Sequence, residues 1–200
     1  MENANVHLSE EEHRLVQDAN VILTKNAVIG KVKALLEAVS GKSLYYFHSG
    51  TPFAFGCSLS APRITRGENY LGLPWVTMDY PRIFEKEAIS AIRCIFWWGH
   101  HFSCTWHCSG RFKKEMEERL LNGFDRVAAG NWLLYSGDNE WAHELTPAHR
   151  NTAQMAQSEF EQILKQRDFF KLCKYLPLER FNDTTAFYDT CFEEMLNWTV

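Results

Sequence analysis

At 200 residues, 46% apolar and 23% charged, the chain has the balance of a folded globular protein, far from that of a disordered one. The net charge of −4 is spread without a basic block, which excludes an electrostatic footprint for nucleic acid. The most apolar run, residues 94–98, is far shorter than the roughly 20 residues that span a bilayer, and the first dozen residues have no basic flank or apolar stretch of a secretory signal. The expectation is one cytoplasmic α+β domain over residues 1–200, with no membrane or nucleic-acid partner and no cofactor.

Ser9 precedes Glu10, Glu11 and Glu12, the pattern of an N-cap with a capping box closed by Glu12. Leu15, Ile22, Ile29 and Leu36 then recur every seven residues, predicting an amphipathic helix over 9–39 that stops at Ser40-Gly41. Asn26 and Gly30 are weak helix formers inside it and mark a place for a kink. The repeat fits a homodimer seam through helix 9–39. It fits better a helix laid across a sheet.

Residues 42–136 have the texture of a small sheet with interspersed helices. Strands are expected at 44–47, 70–80, 102–108 and 132–135, and helices from Glu85 through Ile95 and over 112–121. Pro74 argues for an edge or a bulge in the second strand. The third strand is the most informative: Phe102, Cys104, Trp106 and Cys108 alternate with Ser103, Thr105, His107 and Ser109. Such a period of two sends thiols and rings to the core and His101 and His107 to a polar side. The last part, 147–198, reads as three helices: one opened by Thr146-Pro147, one over 169–175, and one capped by Asn182. The sum is an α+β fold with a mostly antiparallel sheet of about four strands, packed by the long first helix and a C-terminal three-helix segment.

Cys57, Cys94, Cys104, Cys108, Cys173 and Cys191 mostly sit beside Phe, Leu, Ile or Trp and read as reduced, buried thiols. Three groups of residues carry candidate chemistry. His100, Cys104, His107 and Cys108 would share one side of a helix and hold a metal ion there. On a strand the two sulfurs stand about 13 Å apart and His107 faces away, so neither chelation nor a thiol–imidazole pair forms. A second group, Arg63, Arg66, Tyr70, Asp79 and Arg82, lies at strand ends, where arginine forks clamp a small anion or pair with Asp79 and Glu68. It is the preferred ligand-binding set. The third, Trp141, His143, Glu144 and His149, lacks a metal-ligand spacing and reads as a surface loop.

No phosphate-binding glycine loop or nucleophile elbow occurs. Seven Trp and fourteen Phe supply more ring surface than a core requires. These features favour a non-catalytic binding protein for a small anionic or apolar ligand, or for a protein partner. The alternative is a metal-dependent or thiol enzyme built on residues 100–108.

Overall fold

The first helix forms as its cap dictates. In the computed structural model, which describes residues 6–48, 50–55 and 59–198, the Ser9 side chain accepts from the Glu12 amide and Glu12 accepts in return from the Ser9 amide. This helix, α1 (Glu10–Gln17), ends at Asp18, whose carboxylate caps the next helix, α2 (Ala19–Tyr46). The expected helix over 9–39 is therefore two helices, broken at Asp18 instead of near Asn26, and the second runs past Ser40-Gly41. The residues expected as a strand at 44–47 are its last turn. The reason is burial: Ser43 and Phe47 face the core, and the Phe47 ring meets Phe53 and Phe192 at about 5 Å. The sevenfold repeat is divided as well. Ile29 and Leu36 are core residues, whereas Leu15 and Ile22 are exposed.

Among the described residues the sheet has seven antiparallel strands, not about four. They are β1 (Arg63–Tyr70), β2 (Leu73–Phe84), β3 (Ile89–Trp97), β4 (His101–Ser109), β5 (Leu133–Tyr135), β6 (His149–Asn151) and β7 (Phe169–Pro177), in the order β1-β2-β3-β4-β7-β5-β6. The strand expected over 70–80 is the end of β1, a turn at Leu71-Gly72, and most of β2, which carries Pro74 near its start. Two predicted helices are strands: 85–95 is largely β3, and 169–175 lies in β7. Both occupy the middle of the sheet and are buried on both faces. A strand in that position reads as an unbroken apolar run, which the Ile89, Ile92, Ile95 spacing imitates as a helix. The C-terminal part is accordingly not a three-helix segment. Pro147 lies in a connection, and the helix after it, α5 (Gln157–Gln166), begins ten residues later.

The helices α3 (Gly110–Asn122), α4 (Phe124–Ala129) and α6 (Thr184–Trp198) join α2 and α5 on one face of the sheet. That face presents Val76, Met78, Ile92, Phe102, Trp106 and Leu172, and against it lie Phe47, Phe112, Trp132, Phe192 and Trp198. Cys94, Cys104, Cys108 and Cys191 are buried in this core, and the five cysteines among the described residues are all free. Cys57 lies outside the described residues. No helix among them is long and apolar enough to cross a membrane.

The split of the first helical stripe has a direct energetic consequence. Leu36→Ala should cost about 2–5 kcal/mol of stability, because Leu36 is fully buried and its loss leaves a cavity. Ile22→Ala should stay within about 0.5 kcal/mol, since Ile22 is 55% exposed. Urea unfolding of both variants checks the contrast.

Candidate functional site

Residues paired directly across antiparallel strands share a face, so the strand register assigns the second face of the sheet row by row. One row is Gly67, Trp75, Trp97 and His101; the next is Thr65, Thr77, Ile95, Ser103 and Tyr175. Asp79, Arg93, Thr105 and Cys173 follow, and then Ala91, His107 and Lys171. The expectation for 102–108 holds at this point: β4 sends Cys104, Trp106 and Cys108 to the helical core and His101 and His107 to the other side. That side is polar, yet it is covered.

The cover is the connection between β5 and β6, residues 136–148. Its contacts to the sheet are polar and specific. Glu140 meets His107 Nε2 at 3.1 Å, and His143 Nε2 lies 3.2 Å from an Arg93 Nη1. The Ala142 carbonyl accepts from Lys171 Nζ, and the Glu144 carboxylate accepts from the Tyr70 hydroxyl. Just beyond the connection, His149 Nε2 reaches the Tyr175 hydroxyl at 3.0 Å, while its Nδ1 accepts from the Thr146 amide. A segment read from composition as a surface loop is in fact the roof of the polar face.

Between roof and sheet, toward the β1–β2 hairpin, lies a cavity of about 300 Å³. Tyr70, Trp75, Trp97 and Trp141 form its walls, and Thr65, Thr77, Arg93, Ile95, His101 and His143 its floor and depth, with Asn69 among its lining. Trp97 is held by stacking on His100 at 3.6 Å and by the edge of Tyr70 at 5.2 Å. Trp75 lies across β1 because residue 67 is glycine: a Cβ there would stand 2.6 Å from the indole. Beneath the cavity Arg93 is bound by both Asp79 carboxylate oxygens, at 2.6 and 3.0 Å. Its positive charge is met within the site.

The preferred ligand set is gathered only in part. Tyr70 is in the cavity wall and Asp79 is directly below, paired with Arg93. Arg63 is exposed at the start of β1 and does not line the cavity, and Arg66 is on the opposite side of that strand. Arg82 donates from Nε to the Ala61 carbonyl at 3.0 Å, near the irregularity between Asp79 and Arg82. The alternative set is separated by the strand, with Cys104 and Cys108 on one face and His107 on the other. Burial pushes the Cys104 and Cys108 thiols up, away from the reactive thiolate. Among the described residues no group of three His, Cys, Asp or Glu side chains converges to hold a metal ion.

Arg93, Lys171 and Tyr175 were not among the candidates, although a signal was present: a polar side chain inside the apolar runs at 89–97 and 169–177. No protein-family model matches the chain, and no characterised protein matches it in sequence.

Burial sets the protonation of the histidines. It lowers His101 and His149 to about 4, His107 to about 3 and His143 to about 2. The Glu140 carboxylate would favour an imidazolium at His107, but desolvation, with Lys171 and Arg93 nearby, outweighs it. All four rings are neutral at pH 7. The Tyr70 hydroxyl, desolvated and bonded to Glu144, is pushed up to about 12.

These shifts make stability pH-dependent with a definite sign. In the unfolded chain each ring takes up its proton near pH 6.5, whereas the folded rings resist until far lower. Stability is thus full above about pH 6.5 and falls as acid is added, by at most about 1.4 kcal/mol per pH unit for His107 and for His143 and by less for the more solvent-screened His101 and His149, until the folded values are reached. Urea unfolding between pH 7.5 and 4.5 should show this fall. His107→Gln, which keeps a donor toward Glu140, should remove about one proton from the slope.

Proposed function

We propose that the chain is a binding protein for a small, flat, largely apolar ligand: an aromatic ring carrying an oxygen acceptor. The observation that carries this reading is the cavity of about 300 Å³ walled by Tyr70, Trp75, Trp97 and Trp141. Its volume is at the lower end of ligand pockets, about 300–1,000 Å³, and indole walls favour offset or edge contact with a second ring.

The polar side of the cavity supports an acceptor rather than a full anion. Arg93 has five N–H donors; two meet Asp79 and one meets His143, which leaves donors for a ligand oxygen without an unbalanced charge. Asn69 uses its carbonyl oxygen to accept from the Gly72 amide, so its NH2 stays available at the rim. Catalysis by proton transfer has less support. The cavity histidines lie well below neutrality and Tyr70 well above, so neither is poised for exchange at pH 7.

Acetophenone and benzoate are suitable probes, because they share a ring and differ in charge. Titration followed by tryptophan fluorescence should show saturable binding of acetophenone, tighter than that of benzoate. Thr65→Phe places a ring in the cavity from the edge strand and should weaken acetophenone at least about tenfold, or about 1.4 kcal/mol, with the melting temperature retained. Equal binding by the wild type and Thr65→Phe would refute the cavity as the site, and tighter benzoate would replace the neutral ligand by an anion.

A further inference from the structure

Lys171, the third residue of β7, is 1% exposed, and no carboxylate among the described residues stands within ion-pairing distance of its Nζ. Two other lysines of low exposure behave otherwise: Lys113 pairs with Glu117 and Lys174 with Glu194, each at 2.6 Å. Lys171 has three N–H donors and spends one on the Ala142 carbonyl, with the Tyr135 ring 4.9 Å away. Next to it is a void of about 10 Å³, bordered by Arg93, His107, His143 and Trp141. That is room for one water molecule. Arg93, His143 and Trp141 border the aromatic cavity too, so these three side chains stand between the amine and the cavity. The Trp141 indole is 47% exposed and belongs to the roof.

An ammonium in this position has lost its water and borders the same void as Arg93, whose guanidinium is paired with Asp79. Desolvation comes first and the Arg93 charge adds to it, and both lower the lysine's pKa; Cys173, Glu144 and Glu140 act the other way. Desolvation beside a second cation is the condition that turns a lysine into a nucleophile.

We propose that Lys171 captures the carbonyl group of a small aromatic aldehyde or ketone as an imine. The proposal rests on the reading of the aromatic cavity as the place where the ring is held. The Nζ lone pair forms a bond to the carbonyl carbon, the π pair moves to oxygen, and a nitrogen proton follows it. The resulting hydroxyl leaves with the second nitrogen proton as water, and a carbon–nitrogen double bond remains. One amine and one carbonyl give one imine and one water, with no redox partner, and hydrolysis releases the ligand. A carbonyl whose oxygen is directed at Arg93 brings its carbon to the side of the cavity nearest Nζ, which is the atom the amine attacks.

The test is reductive trapping on the intact chain with benzaldehyde and cyanoborohydride at pH 7, followed by peptide mapping. The expected result is a benzyl group on Lys171, at least about tenfold faster than on an exposed lysine such as Lys33, since activation is local. Thr65→Phe should slow the labelling while leaving Lys33 unchanged. Lys171→Met, of similar length and without the amine, should lose the fast phase. Saturable benzaldehyde binding with labelling spread evenly over surface lysines would overturn the imine and leave the cavity reading intact. Fast labelling of Lys171 that Thr65→Phe does not slow would overturn the proposal, because the carbonyl would not be coming from the cavity. Absence of both binding and Lys171 labelling would overturn both readings.

Discussion

The pair formed by Asp79 and Arg93 holds together most of what is unusual in this molecule. Asp79 on β2 and Arg93 on β3 face one another in register, on the side of the sheet away from the helical core, and the guanidinium is gripped at two oxygens. Its remaining edge reaches His143 in the roof. One side chain thus links two central strands to the segment that covers them. Breaking a buried pair of this kind typically costs about 3–5 kcal/mol, because the surviving charge is left without a partner. Here the damage would not be confined to the strands, since the roof would lose an anchor and the cavity its floor.

From that constraint follows the character of the covered face. A sheet buried on both sides usually reads as apolar throughout, and the helical side of this one does. The other side is buried with imidazole, guanidinium, ammonium and phenol groups, which is tolerable only where each has a partner. The roof supplies them one by one: Glu140 for His107, His143 for Arg93, the Ala142 carbonyl for Lys171, Glu144 for Tyr70. Neutral histidines lower the electrostatic cost further, since an uncharged ring loses less on leaving water than an imidazolium. A cover fixed by so many directed bonds also explains why an open space persists beneath it. The indoles of Trp75 and Trp97 cannot collapse inward, because Gly67, His100 and Tyr70 hold them.

Much of this was legible in the chain where periodicity was clean. Residues 102–108 alternate without exception, and the inference that Cys104 and Cys108 turn inward and His101 and His107 outward matches the register. The N-cap at Ser9 was equally plain, as was the charged helical pattern over 112–121. The central strands were not legible, for a physical reason. A strand buried on both faces has no alternation to display, and Ile89, Ile92 and Ile95 then match the spacing of a helix by chance. The candidate site was obscured by the same effect. Arg93, Lys171 and Tyr175 sit inside runs assigned to helices, whereas Arg63, Arg66 and Arg82 are conspicuous in a loop-rich stretch. Tyr70 and Asp79 alone of the preferred set are found at the cavity. His143 and Glu144 were taken for solvent-facing groups because polarity in a connection is ordinarily spent on water. In this fold it is spent on the sheet.

The position of Lys171 then has a simple rationale within the architecture. On the covered face His107 meets Glu140, Tyr70 meets Glu144, and Arg93 meets Asp79. Lys171 brings an amine to the middle of the sheet with a carbonyl, and no carboxylate among the described residues, to receive it. Apolar side chains fill such positions without that cost, as Phe170, Leu172 and Leu176 on the helical side of β7 show. A buried amine retained at this expense is better understood through its chemistry than its packing. The feature that makes it costly, desolvation beside a second cation, is also the feature that makes its lone pair available.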